Sequence, residues 1–144
     1  MINQIILASK SGVRKKILED NQIKCVVEHS NIDEDSIKES LLKEKATPEI
    51  ISKNLAELKA NKISQKISGE LVLGADSVID LNGKIISKPV DRNEALKILC
   101  DLNGQTHHLI SSVCISQNGS MIWNHTEKAS LTMKKWAKKS LRFI

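Results

Sequence analysis

Aromatic residues are almost absent from this chain of 144 residues, which has two tryptophans, one phenylalanine and no tyrosine. A core must therefore be built from isoleucine, leucine and valine, and a surface that stacks nucleic-acid bases on aromatic rings is poorly supported. No apolar run reaches the length of about 20 residues that crosses a bilayer. Residues 1–8 also lack the basic start and long apolar stretch of a signal peptide. We therefore expect a single cytoplasmic domain, residues 1–144.

Cysteine is scarce as well. Cys25, Cys100 and Cys114 are far apart, and none belongs to a CxxC pair or a Cys/His cluster with zinc spacing. An odd number of cysteines in a cytosolic chain indicates reduced thiols rather than disulfides. We expect the three thiols to be mostly buried.

The formal net charge of +5 is concentrated at one end of the chain. Residues 134–144 contain five basic residues and no acidic one, and the other 17 basic residues are matched by 17 acidic residues in residues 1–133. The pattern is typical of the solvated basic end of a helix and argues against a nucleic-acid-binding domain. Nucleic-acid binding by residues 134–144 alone stays open as a weaker alternative.

Hydrophobic patterning predicts strands that alternate with helices in the first half of the chain. Apolar runs typical of buried strands occur at residues 4–8, 23–27 and 71–75. Thr47 and Asp91 are suited to the N-caps of helices. The predicted helices span residues 13–20, 34–45 and 47–67, and a further one follows Asp91 and stops near Gly104.

Hairpins are predicted in the second half. Asn82-Gly83 and Asn118-Gly119 each separate two runs of strand-forming residues, as two-residue hairpin turns do. Together with the alternating first half, this pattern predicts an α/β fold with a mixed sheet flanked by helices, rather than a purely parallel sheet.

A small-residue loop between the first strand and the first helix is a candidate anion site. Backbone N–H groups at a helix N-terminus favour phosphate, the hydroxyls of Ser9 and Ser11 add donors, and the fork of Arg14 matches phosphate oxygens. Serine at such a turn can equally serve as an ordinary helix cap.

Three carboxylates are candidates for metal binding or catalysis. Asp33 and Glu34 could supply oxygen ligands to Mg²⁺, although an acidic start of the following helix explains them as well. Asp76 directly follows a buried apolar run, so we expect it at the sheet edge where α/β proteins bind ligands. There it could orient a water, bind a metal ion or accept a proton.

Lysine and histidine carry weaker signals. Lys88 is held by the proline that follows it and could present its charge to phosphate, but an exposed loop lysine is commoner. Lys59 alone suggests a solvated helix residue. His107 and His108 have no acidic or cysteine partner at metal-ligand spacing, so a polar role at the start of a strand is favoured.

Taken in order, these segments resemble the Maf family of nucleotide pyrophosphatases. Each piece is common, but the ordered series, which covers nearly all of residues 2–133, is not. The matching pieces are Ile5-Ile-Leu-Ala-Ser-Lys-Ser11 with Arg14, Ile32-Asp-Glu34, Leu55-Ala56 with Lys59-Ala60, Gly74-Ala-Asp-Ser77, Lys88-Pro89, Ala95, and Gly104 with His107 ahead of Ile110-Ser-Ser-Val113.

The resemblance implies a mixed α/β fold with a central cleft, in which Mg²⁺ or Mn²⁺ assists cleavage of a nucleoside triphosphate into a monophosphate and pyrophosphate. It also implies a homodimer. The preferred base of the substrate is not implied, since pyrimidine, modified and methylated-guanine nucleotides all occur as alternatives in the family. Asp76 would activate water or bind the metal with Asp33 and Glu34, and Ser9, Ser11, Arg14, Lys59 and Lys88 would bind phosphates.

The chain departs from the family pattern in two places. Gly12-Val13-Arg14 stands where many members have Pro-Arg-Arg, so one arginine is retained. Members also continue past the strand ending at residue 133, so the resemblance implies a shortened domain with residues 134–144 as a basic C-terminal segment and an exposed sheet edge or apolar patch. The alternative function is a catalytically impaired module that binds nucleotides or a protein partner.

Overall fold

A computed structural model describes residues 4–143 and has one mixed sheet of six strands. The strand order is β2-β1-β3-β5-β6, and β4 pairs with β3 beside this path. β1 is parallel to β2 and β3, and the other pairs are antiparallel. The elements are β1 (Ile5–Leu7), α1 (Gly12–Asp20), β2 (Cys25–Val27), α2 (Glu34–Lys43), α3 (Pro48–Ser64), β3 (Val72–Leu81), β4 (Lys84–Ile86), α4 (Arg92–Leu102), β5 (Thr106–Gln117), β6 (Ser120–Thr132) and α5 (Lys138–Leu141). The predicted mixed α/β fold is confirmed.

Local signals placed the helix starts and hairpin turns correctly. The side chains of Thr47 and Asp91 accept hydrogen bonds from the N–H groups of Ile50 and Glu94, at 3.3 and 2.8 Å. Such N-caps satisfy backbone donors that have no partner inside the helix. At both turns, Asn82-Gly83 and Asn118-Gly119, each residue has positive φ. Asparagine and glycine tolerate that backbone, which explains why these two dipeptides predicted the hairpins.

The third strand differs from the prediction. A strand over residues 71–75, ending before Asp76, was expected, but β3 continues to Leu81 and places Asp76 within the strand. The reason is its pairing with β5, which runs unbroken from Val72 opposite Ser116 to Asp80 opposite His108. Because backbone hydrogen bonds continue along that edge, the strand does not end at the polar residue Asp76.

Helix α3 packs closely on β3 at Gly74. A Cβ at this position would collide with the carbonyl oxygen of Ala56 and lie 2.9 Å from the Cβ of Ala60. The small residues therefore let the helix axis approach the sheet, and Ala56 and Ala60 join Ile6 in a buried cluster. A second cluster contains Ile51, Leu55, Val78 and Ile110.

Not every residue on the predicted apolar faces is buried. Val13 and Ile17 of α1 are 70% and 56% exposed, and Leu58 of α3 is 42% exposed. Helical spacing identifies a face but not the element that covers it. In α1 the described helix has no buried residue at all.

The thiols and the C-terminal segment differ partly from the predictions. Only Cys114 is buried, whereas Cys25 and Cys100 are half-buried, and all three are free thiols. The basic segment contains only the short α5, whose Leu141 is buried. Over residues 4–143, no helix has both the length and the apolar character needed to cross a membrane.

The last strand, β6, forms one edge of the described sheet. Two large apolar side chains on it, Ile122 and Trp123, are 58% and 49% exposed.

Candidate active site

A cleft of about 920 Å³ opens beside the middle of β3. Within the described residues, β1 pairs with β3 only at Val72 and Leu73, and β4 pairs with it only from Ile79 to Leu81. Because β5 occupies the whole opposite edge, the stretch of β3 around Asp76 has one uncovered edge. Side chains and backbone carbonyls at this gap are free to contact groups other than a neighbouring strand.

All of the site residues predicted from the sequence line this one cleft. They come from the β1–α1 loop, the first turn of α1, the start of α2, the buried face of α3, the middle of β3 and the loop after β4. The residues are Ser9, Ser11, Arg14, Asp33, Glu34, Lys59, Asp76 and Lys88. The fold therefore brings together polar groups that lie up to 79 positions apart in the chain.

The side chain of Lys59 contacts three oxygen atoms in the cleft. Its ammonium lies 2.6 Å from Oε1 of Glu34 and 3.2 Å from Oδ1 of Asp76, and it donates to the carbonyl oxygen of Ala75 at 3.1 Å. These contacts match the three N–H donors of a lysine. The side chain is only 8% exposed, so the prediction that Lys59 is a solvated helix residue is wrong. The close packing at Gly74 is what brings it to β3.

Arg14 also binds the carbonyl oxygen of Ala75. Its Nη1 donates to Oγ of Ser9 at 3.0 Å and to the carbonyl oxygen of Ala75 at 3.2 Å. Ser11 caps α1 by accepting from the backbone N–H of Arg14 at 3.2 Å, so its hydroxyl has the ordinary capping role that the sequence left open. Arg14 is thus oriented by uncharged oxygens, which do not neutralise its positive charge.

Asp76 is buried, and one of its carboxylate oxygens has no hydrogen-bond partner among the described residues. The residue is 7% exposed, and among residues 4–143 its Oδ2 has no hydrogen-bond partner although that atom is buried. Burial raises the pKa of the carboxyl above 3.8, the nearby charge of Lys59 and its hydrogen bond oppose this, and Glu34 adds to it. A carboxylate with a raised pKa is a stronger proton acceptor.

The carboxylates fit a metal ion that shares its coordination with a substrate. In the described part of the chain no three acidic, histidine or cysteine side chains form a metal-binding group. Mg²⁺, however, is commonly held by one or two carboxylates together with substrate phosphates. The unpartnered Oδ2 of Asp76 could serve as such a ligand, and Asp33 retains one oxygen because only Oδ1 caps α2, at 3.1 Å from the N–H of Ser36.

Two further cations line the cleft and were missed by the sequence interpretation. Lys10 lies in the β1–α1 loop, and Lys38 lies on α2 one helical turn after Glu34. The four-residue spacing from Glu34 was the available signal, since residues at that spacing share a helix face. Lys88 is exposed at the rim, as expected for a loop lysine.

Comparisons with known proteins identify the family and support the fold. The family model described as Maf-like protein matches residues 4–143. The chain is 78% identical over 134 residues to the nucleoside triphosphate pyrophosphatase of Pelagibacter ubique, covering 93% of this chain and 69% of that protein. It is 35% identical over 134 residues to the 7-methyl-GTP pyrophosphatase of Brucella abortus, covering 93% of this chain and 67% of that protein.

Solved structures show the same fold at low sequence identity. A nucleoside-triphosphatase, dITP/XTP pyrophosphatase, from Mycobacterium abscessus superposes with a TM-score of 0.55 at 13% identity, covering 90% of this chain and 73% of that one. The chain spans about two thirds of the length of the curated relatives it matches. The family match over nearly the whole chain and the identities of the relatives lead to one conclusion: the chain belongs to the Maf family.

Proposed function

We propose that this protein hydrolyses nucleoside triphosphates to nucleoside monophosphates and pyrophosphate. The observation that carries the proposal is the buried carboxylate of Asp76, with a free Oδ2, in a cleft lined by several cations. Phosphoryl chemistry requires a positioned water and neutralised phosphate charge more than it requires covalent catalysis. The names of the relatives support the same reaction.

Binding of the triphosphate is assigned to the cations around the gap in β3. Arg14 is oriented by Ser9 and Ala75, and its remaining N–H groups can bind phosphate oxygens in a forked arrangement. Ser9 and Ser11 supply hydroxyl donors, the N-terminus of α1 supplies backbone donors, and Lys88 supplies a charge from the rim. Lys59 stays with its two carboxylates and therefore acts on the phosphates through charge rather than direct contact.

Asp76 is the proposed base. Its Oδ2 accepts a proton from a water molecule as the water oxygen bonds to the α-phosphorus. The bond between that phosphorus and the oxygen bridging to the β-phosphate then breaks, and pyrophosphate leaves with the bridging oxygen. Burial supports this role because a raised pKa makes the carboxylate a better proton acceptor, and the charge of Lys59 opposes this rise and favours the ionised form.

A divalent cation is proposed as the cofactor. Asp33 and Glu34 are the side chains that would hold Mg²⁺ or Mn²⁺. Asp76 is the alternative third ligand, in which case its Oδ2 would bind the metal instead of accepting the proton. When bound, the ion would neutralise negative charge on the phosphates.

Other features of the protein follow from family membership and remain proposals. We infer that residues 1–144 act as one Maf-like domain, that the protein works in the cytoplasm, and that it forms a homodimer. Light scattering on the purified protein would measure the oligomeric state. A panel of substrates would measure the base preference, because pyrimidine, modified and methylated-guanine nucleotides are all compatible with the family.

The test is pyrophosphate release from standard, modified and methylated nucleoside triphosphates with Mg²⁺ or Mn²⁺. We expect activity from the unmodified chain, and about a 10²–10⁴-fold lower kcat for Asp76→Asn, the range expected for loss of a general base. Asp80→Asn is the matched control, because Asp80 lies on the same strand but accepts from Gly83 in the hairpin turn. Nucleotide binding without turnover would favour the impaired module instead.

A further inference from the structure

Lys38 occupies a position in the cleft that no step above uses. It is half-buried on α2, one turn after Glu34, and it lines the same cleft as Asp76. Lys38 therefore lies at the wall of the space where the phosphates of a substrate would lie.

The neighbouring carboxylates leave Lys38 without a partner. Glu34, four residues earlier, is the natural helical partner, but its Oε1 lies 2.6 Å from Lys59 instead. Glu39, the next residue, is paired with Lys43 on the exposed side of the helix at 3.6 Å. Across residues 4–143, the ammonium of Lys38 has no hydrogen bond and no ion pair. A half-buried ammonium without a partner is available to an anionic ligand.

The charge balance of the cleft depends on this residue. Its walls carry four acidic side chains and five basic ones, so that without Lys38 the two signs would be equal in number. Two of the acidic groups are bound to Lys59. A polyphosphate brings several negative charges, and its binding requires an excess of positive charge in the cleft. The charged residues that line it are Lys10, Arg14, Asp33, Glu34, Asp35, Lys38, Lys59, Asp76 and Lys88.

We propose that Lys38 is an additional polyphosphate-binding residue, whose ammonium contacts phosphate oxygens of the triphosphate substrate and of the pyrophosphate product. The contact with the substrate rests on the proposed function. The contact with pyrophosphate can be measured without any turnover. Lys38 acts as a point charge that follows the phosphates during the reaction, whereas Arg14 is held in place by its protein contacts.

The test is calorimetric titration of the full chain with inorganic pyrophosphate in the presence of Mg²⁺. We expect Lys38→Ala to weaken binding about tenfold, the size expected for loss of one charge-assisted contact, and Lys38→Arg to restore most of it. Lys43→Ala is the matched control, since Lys43 lies on the same helix outside the cleft. Thermal melting of each variant verifies that it is folded, and Lys38→Gln provides a second neutral variant.

The outcomes separate this inference from the proposed function. Equal pyrophosphate affinity in the unmodified chain, Lys38→Ala and Lys38→Gln would overturn the role of Lys38, as would a lack of pyrophosphate binding by the unmodified chain. Binding that depends on Lys38 without release of pyrophosphate from any triphosphate would support the inference and contradict the proposed hydrolysis. In an active protein, Lys38→Ala should raise KM about tenfold and change kcat less.

Discussion

The ammonium of Lys59 lies 3.2 Å from Oδ1 of Asp76, and the two side chains are only 8% and 9% exposed. This contact joins α3 to the middle of β3 and places a positive charge beside the proposed base. Burial disfavours the ionised form of Asp76, and Lys59 favours it. A residue on the buried face of α3 therefore opposes the larger effect of burial on the pKa of the proposed base.

Replacing Lys59 by methionine should move the acidic limb of the pH profile of kcat/KM to higher pH. Burial raises the pKa of Asp76 above 3.8, and the charge of Lys59 opposes that rise. Without this charge the pKa rises further, so that activity is lost at a higher pH as the solution is acidified. The measurement is kcat/KM against pH for both proteins.

Lys62→Met is the control for that experiment. Lys62 lies on the same helix, but its ammonium donates to the carbonyl oxygen of Asn31 near the surface. Its replacement should leave the acidic limb in place. An unchanged limb in Lys59→Met would show that Lys59 does not act on the base.

Replacing Gly74 by alanine should destabilise the protein by about 2–3 kcal/mol, in the range found for overpacked cores. The added methyl group would collide with the backbone of α3 and push it away from β3. The free energy of unfolding from urea titration measures the loss. Gly12→Ala is the control, because a Cβ at Gly12 has no described atom within 4 Å, and we expect little change there.

Replacing Arg14 by alanine should lower kcat/KM about 10–100-fold, as expected when hydrogen bonds to a charged group are lost. Its guanidinium is already oriented by Ser9 and Ala75, so little ordering is needed when phosphate binds. Steady-state kinetics measure the change. Lys15→Ala should have almost no effect, since Lys15 is half-exposed and paired with Glu19. Equal losses in both variants would mean that Arg14 has no special role.

The thiol of Cys114 should react far more slowly with an alkylating reagent than the other two thiols. Burial raises the pKa of Cys114 to about 11, so that almost no thiolate forms near neutral pH. Cys25 and Cys100 are half-buried and accessible in part. Mass spectrometry of the folded and urea-unfolded protein after brief labelling measures the order. Rapid labelling of Cys114 in the folded protein would contradict its burial.

Resemblance and local patterning predicted the members of the site but not their contacts. The candidate residues all line one cleft, yet Lys59 was expected in solvent and Asp76 at the end of a strand. Both differences arise from packing between distant segments. The pairing of β3 with β5 determines where the strand ends, and the approach of α3 at Gly74 determines what Lys59 can reach.

The sequence by itself determined the helix starts, the two hairpin turns and the mixed α/β class. Capping and turn preferences depend on hydrogen bonds and backbone angles within a few residues, and these can be recognised in one stretch of chain. Only the tertiary structure decided which edge of β3 stays uncovered, which carboxylates bind Lys59 and that, among the described residues, the ammonium of Lys38 is left without a partner. Those outcomes depend on burial and on distances between segments that pack together, and the ionisation of Asp76 depends on both.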